Sequence, residues 1–203
     1  MEEKSIFFGQ ESIRLEGLYA HSGGDRGAVI SHPHPPRGGD MLNPVVAVLS
    51  ETLFVGGFST LRFNFRGVGK STGAYDDGRG EQDDVLAAVS FMEEQGCRDT
   101  LLAGYSFGAW VNAHILTRRN FLPAIFIAPP INLFPFDLQI LRGKIGLIVC
   151  GDHDKYCPVE SIKAVAAGLA CHLDIIPEAD HFFQSREEDI ADCINNCNRQ
   201  PNL

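Results

Sequence analysis

Ser106 stands between glycines in Gly104-Tyr105-Ser106-Phe107-Gly108, a Gly-x-Ser-x-Gly pattern that follows the apolar run Thr100 to Gly104 and opens an apolar-periodic stretch at Phe107. A strand that turns sharply into a helix needs small residues on both sides of the turn, and the turn leaves the serine hydroxyl exposed on a strained backbone. Outside such a turn the serine would be an ordinary helix cap. A hydroxyl is a weak nucleophile at neutral pH, so it requires a base within hydrogen-bond reach and a third group that orients the base. Two later loops carry suitable residues: Gly151-Asp152-His153-Asp154-Lys155-Tyr156-Cys157-Pro158, and Glu178-Ala179-Asp180-His181-Phe182-Phe183. We take Asp154 as the orienting acid and His181 as the base, with Asp152, His153 and His172 as rivals.

These side chains can meet only if the elements between them bring the loops to one end of the molecule. Strand-like runs are expected at Ser5–Phe8, Ile13–Ala20, Gly27–Ser31, Ser59–Phe65, Thr100–Gly104, Ala124–Ala128, Ile145–Cys150 and Leu173–Ile176. Helical spacing is expected over Asn43–Phe54, Glu81–Gln95, Phe107–Arg119, Val159–Leu169 and Glu187–Cys197. Strands alternating with amphipathic helices form a mostly parallel sheet with helices on both faces, and strands buried on both faces read as unbroken apolar runs, as Leu101-Leu102-Ala103 and Leu147-Ile148-Val149 do. The expected fold class is therefore α/β, a doubly wound sheet, over a single domain of residues 1–203. Ligands of such sheets bind beyond the carboxyl ends of the strands, where all three candidates lie.

On these motifs the chain resembles the α/β-hydrolase superfamily over nearly its whole length, and within it the small dienelactone-hydrolase-like serine hydrolases with little or no cap. In that fold the nucleophile, acid and histidine follow one another in chain order, each after a later strand. The family pattern Gly-x-x-Asp-x-x-x-Pro falls on Gly151, Asp154 and Pro158, and its Ala-Asp-His-Phe setting falls on His181. The resemblance implies an acyl-enzyme mechanism without a cofactor. It also implies an oxyanion hole built from the N–H of Phe107 and one from the loop His32-Pro33-His34-Pro35-Pro36-Arg37. Prolines 33, 35 and 36 have no N–H, which leaves His34, with Arg37 in reserve. This loop departs from the His-Gly found in many relatives.

Two patterns suggest other chemistry. His32-x-His34 could begin a metal site, but no further ligand follows at metallohydrolase spacing, and no metal is expected. Gly67-Val68-Gly69-Lys70-Ser71 resembles part of a P-loop, yet Asn64 stands where the first glycine is required, and a structural role under the active site is expected instead. Cys157 lies near Asp154 without an elbow of its own, and Trp110 is expected to pack beneath the site.

Only Pro129 to Lys144 separates the Ala124 and Ile145 strands, too short a stretch for a large lid. Its apolar residues, with Tyr105, point to a substrate wall: Tyr105, Ile131 and Phe134 are the candidate substrate-binding residues. The phenylalanines there would equally pack on the sheet or form a homodimer contact. The expected partner is a small-molecule ester or thioester. A peptidase or amidase with the same triad, and a non-catalytic binding protein on the same scaffold, stay open.

The composition is that of an ordinary globular protein, 44% hydrophobic and 21% charged in 203 residues. A net charge of -9 with scattered basic residues argues against a nucleic-acid partner, and nothing suggests a membrane partner. The acidic start Met-Glu-Glu-Lys is unlike a signal peptide, so a cytoplasmic location is expected. Six cysteines without a CxxC pair are expected to be reduced.

Overall fold

Runs of five to eight residues rich in Val, Ile, Leu and Phe become the strands of one eight-stranded sheet in the computed structural model of the chain, which describes residues 1–10, 12–137 and 140–198. The strands are β1 (Lys4–Gln10), β2 (Ile13–Ala20), β3 (Arg26–Ser31), β4 (Ser59–Phe63), β5 (Asp99–Tyr105), β6 (Leu122–Ile127), β7 (Ile145–Gly151) and β8 (His172–Ile176). They lie in the order β1-β2-β4-β3-β5-β6-β7-β8. β1 pairs antiparallel with β2, and β2 with β4; the rest of the sheet is parallel. Parallel neighbours require crossovers, and helices supply most of them. α1 (Pro44–Val55) joins β3 to β4, α2 (Arg79–Glu94) joins β4 to β5, α3 (Phe107–Ala113) joins β5 to β6, α4 (Val159–Leu169) joins β7 to β8, and α5 (Glu187–Asn198) follows β8.

Successive side chains of a strand point to opposite faces, so each apolar run feeds two cores. Val29, Leu102 and Ile148 pack with α2, α3 and α4 on one face. Ala28, Ile30, Ala103, Leu147 and Val149 pack with α1 and α5 on the other. This double burial is the reason the strands lack polar alternation.

β3 lies between β4 and β5, so the chain winds outward from it in both directions, and a crevice opens beyond the carboxyl ends of β3 and β5. The loop after β3 and the turn after β5 both end there. In the first, the prolines allow only a single 3-10 turn, Pro35–Arg37, before Asn43 caps α1 by accepting a 3.0 Å hydrogen bond from the Val45 N–H.

Most boundaries shift by one or two residues from those expected, and two of the differences bear on the site. α3 ends at Ala113 rather than at Arg119, one residue after the buried Asn112, whose amide donates to Ala103 O at 3.1 Å and accepts from Ser31 Oγ at 2.9 Å. The next N–H groups then bond three residues back, His114 to Val111 and Ile115 to Asn112, which tightens the helix end. β4 ends at Phe63 rather than at Phe65, since Asn64 N–H donates to Glu16 O and Phe65 N–H to the His32 ring. Among the described residues, no helix is long and apolar enough to cross a membrane.

Candidate active site

The turn from β5 into α3 holds Ser106 at φ 52 and ψ -117, a left-handed region that costs a non-glycine residue energy and persists only when the surroundings enforce it. They do so from both sides. Ser106 N–H donates to Ile127 O at the end of β6 at 2.9 Å. The flanking glycines permit the approach: a Cβ on Gly104 would lie 2.5 Å from Ala109 N, and one on Gly108 would lie 2.3 Å from Ser31 O. The Gly-x-Ser-x-Gly pattern is thus a steric requirement of α3 lying against the ends of β3 and β5.

Ser106 Oγ lies 2.9 Å from His181 Nε2, and His181 Nδ1 lies 2.8 Å from Asp154 Oδ2. The three come from the ends of β5, β7 and β8. All three are buried, His181 leaving 8% of its surface exposed at the edge of the site. Asp154 uses its second oxygen as well: Oδ1 accepts from the N–H groups of Tyr156 at 2.8 Å and Cys157 at 3.0 Å. A carboxylate so held accepts from Nδ1–H and leaves Nε2 free to accept from the serine hydroxyl. The rivals lie elsewhere. Asp152 and His153 are exposed neighbours 3.9 Å apart, and His172 bonds Asp174 at 3.0 Å.

The loop after β3 brings His34 against the neighbour of Ser106, with ring centroids of His34 and Phe107 5.0 Å apart. The Arg37 N–H, the reserve oxyanion donor, is already spent on His34 O at 3.0 Å. Among the described residues, no backbone acceptor engages the N–H of His34 or of Phe107. His32 does not act with His34. Its Nδ1 lies 2.7 Å from Pro33 O and its Nε2 accepts from Phe65 N–H at 3.0 Å, so both ring nitrogens are engaged in tying the loop to the end of β4. Burial pushes its pKa down to about 4, with the Pro33 carbonyl and Asp40 opposing in part. Neither nitrogen is available to a metal without breaking this tie.

The candidate substrate wall needs one correction. Tyr105 is 2% exposed, and its hydroxyl donates to the backbone carbonyl of His181 at 2.8 Å. It supports the histidine from behind and does not face a substrate. Burial, with the charges of Asp154 and Asp180, raises its pKa, which keeps the hydroxyl a donor. Phe134 stacks on Trp110 with centroids 4.6 Å apart and lies 6.2 Å from His34. Ile131 is half-buried on the same core. Trp110 packs on Phe107 at 5.6 Å, as expected, and its indole N–H donates to Pro135 O at 3.0 Å, pinning the short segment that stands in place of a lid. Of that segment, Leu138 and Gln139 lie outside the described residues.

The Gly-rich segment after β4 is tied down by side-chain hydrogen bonds. Arg66 donates to both oxygens of the buried Asp84 carboxylate, and Ser71 Oγ donates to Asn64 O at 2.7 Å. Three further aromatic residues lie at the site, and of these Phe182 alone belonged to a motif, the Ala-Asp-His-Phe setting of His181. Tyr75 shares a 2.8 Å hydrogen bond with His34, Tyr156 meets the His181 ring edge to face at 4.8 Å, and Phe182, 65% exposed, lies 5.7 Å from the same ring.

No family model matches the chain. It is 34% identical over 208 residues to an uncharacterised protein of Rickettsia prowazekii, covering 94% of this chain and 86% of that one. Its structure is similar to that of an α/β serine hydrolase homologue from Coxiella burnetii, 33% identical, with 97% and 98% of the two chains covered and a TM-score of 0.87. It is also similar to an α/β serine hydrolase without a lid from Xanthomonas campestris, 27% identical, with 98% and 94% covered and a TM-score of 0.87. With this sheet, this elbow and these relatives, the chain belongs to the α/β serine hydrolases.

Proposed function

We propose that the protein hydrolyses small to medium carboxylic esters or thioesters through an acyl-enzyme intermediate on Ser106. The observation that carries this is the continuous relay from Ser106 Oγ to His181 at 2.9 Å and from His181 to Asp154 at 2.8 Å, with the serine held at a left-handed backbone angle. His181 Nε2 takes the hydroxyl proton as Oγ attacks the acyl carbon, and Asp154 stabilises the imidazolium that forms. The oxyanion of the tetrahedral intermediate is received by the N–H groups of Phe107 and His34. When the intermediate collapses, the bond to the alcohol or thiol breaks and the leaving group takes the proton from His181. Water, deprotonated by the same nitrogen, then attacks the acyl group and releases the acid. The aromatic wall of Phe134 and Trp110 suits an apolar acyl group, and the shortness of the segment between β6 and β7 suits substrates that arrive from solution.

A fluorophosphonate probe tests this, because it reacts with a serine that is both deprotonated by its base and facing an oxyanion hole. Intact mass and peptide mapping are expected to find one adduct, on Ser106, lost in Ser106→Ala and His181→Ala. Ester and thioester panels should then give turnover. Absence of the adduct on folded protein, or turnover of amides alone, would overturn the proposal.

A further inference from the structure

Tyr75 lies in the loop between β4 and α2, 41 residues from His34, yet its hydroxyl and His34 Nε2 share a hydrogen bond of 2.8 Å and the two rings meet edge to face at 5.3 Å. Both rings rest on Phe107, at 5.9 Å for Tyr75 and 5.0 Å for His34. The loop that delivers Tyr75 is held from below. The fully buried Glu81 carboxylate accepts from the N–H groups of Asp76 at 2.9 Å and Gly78 at 2.8 Å, and the Asp76 carboxylate accepts from Gly80 N–H at 3.1 Å. Such a cradle fixes the backbone immediately after Tyr75.

His34 is clamped from its other end by its own carbonyl, which accepts from Arg37 N–H at 3.0 Å and Gly39 N–H at 3.1 Å. The peptide that carries the one N–H between prolines 33 and 35 is held at its carbonyl end by the 2.7 Å contact of Pro33 O with His32 Nδ1, so the freedom left to the His34 N–H is a tilt about that contact. A bond at the far end of the imidazole opposes that tilt. We infer that Tyr75 is a positioning residue for the oxyanion hole: its hydroxyl anchors the His34 imidazole and so holds the His34 N–H on the carbonyl oxygen under attack. This rests on the hydrolase reading above. Burial, aided by the Asp77 and Glu81 carboxylates, pushes the Tyr75 pKa up to about 12, so the hydroxyl stays protonated across the working range of an esterase.

A donor aimed at the oxyanion matters most when the oxygen carries charge, so its misalignment lowers kcat and spares KM. Tyr75→Phe keeps the ring on Phe107 and deletes only the hydroxyl. With active sites titrated by fluorophosphonate, we expect kcat on an ester to fall about 10-fold, a part of what deleting an oxyanion donor costs, and KM to stay within about twofold. Affinity for a boronic acid, which forms a tetrahedral adduct on the serine, should fall by the same factor as kcat. His34→Leu should lower kcat as well, and Tyr75→Phe added to it should lower kcat no further, because the hydroxyl has lost the group it acts through.

Titrating active sites counts only folded, competent protein, so a folding defect in either variant does not mask the result. Unchanged kcat in Tyr75→Phe, a rise in KM alone, or multiplied losses in the double variant would each overturn the inference. A wild-type protein that is labelled and turns over ester while Tyr75→Phe is unimpaired overturns this inference alone. A wild-type protein that is neither labelled nor active overturns the hydrolase reading and this inference with it.

Discussion

Asp154 uses both carboxylate oxygens, one for the His181 imidazole and one for two backbone N–H groups that shape its own loop. Asp154→Asn separates these tasks. The amide oxygen can keep the bonds from Tyr156 and Cys157 N–H, so the loop holds, while the amide NH2 then faces Nδ1 and favours the tautomer with its proton on Nε2, which cannot accept from Ser106. We expect kcat/KM to fall by about 10³ to 10⁴-fold with the melting temperature nearly unchanged, as measured by ester kinetics beside thermal unfolding. A loss below tenfold would show that Asp154 does not orient the base. Cys157 of the same loop lies with its sulfur 2.8 Å from that of Cys150 in β7, both free and fully buried. Burial raises the Cys150 thiol pKa, and a protonated, inaccessible thiol is not a nucleophile.

Elements, rather than side chains, set the elbow. α3 is only seven residues long, but its first turn is wedged against β3 and β5, and glycine is what lets it enter. Gly108→Ala would drive a Cβ to 2.3 Å from the Ser31 carbonyl oxygen, a backbone atom that cannot swing aside. We expect a loss of about 3 kcal/mol or more in urea unfolding, the cost of overpacking a rigid contact. Gly168 is the opposite case. It is exposed near the end of α4, and an added Cβ there would meet nothing within 4 Å. Gly168→Ala is expected to stabilise by about 0.5 to 1 kcal/mol through helix propensity and a less flexible unfolded chain. Equal effects of the two substitutions would mean that the wedge at α3 is not a close contact.

At the scale of the whole molecule, His32 links stability to pH. Its ring ties the β3 loop to the end of β4, and it is neutral there because protonation would place a charge in the core and remove the acceptor for Phe65 N–H. The native ring takes a proton only near pH 4, whereas the unfolded chain takes one near pH 6.5. Between these values the unfolded state binds more protons, so stability is fully present above pH 6.5 and is lost as pH falls toward 4, by about 3 kcal/mol in all. Urea unfolding from pH 7 to pH 4 should show this slope on top of the carboxylate contribution, and His32→Gln, less stable at pH 7, should lack it. Parallel pH profiles for the two proteins would refute the linkage.

Residue type and order along the chain were enough to determine the α/β class, the alternation of strands with helices, and the loops that hold Ser106, Asp154 and His181. The reason is local: strands buried on both faces must be apolar throughout, and the residues that interrupt them at their carboxyl ends stand out. The inward course of Tyr105 was also within reach, since strand alternation puts it on the face of Leu101 and Ala103. Only the tertiary structure decided which of Asp152 and Asp154 meets His181, that both nitrogens of His32 are committed to the fold, that α3 stops at Ala113, and that Tyr75 reaches His34. Each depends on at least one pair of groups 9 or more residues apart that meets through the packing of the sheet and its loops, as Asn112 meets Ala103 and Ser31. Spacing along a chain carries no record of such meetings, because the direction of a side chain at a loop is set by what packs around it.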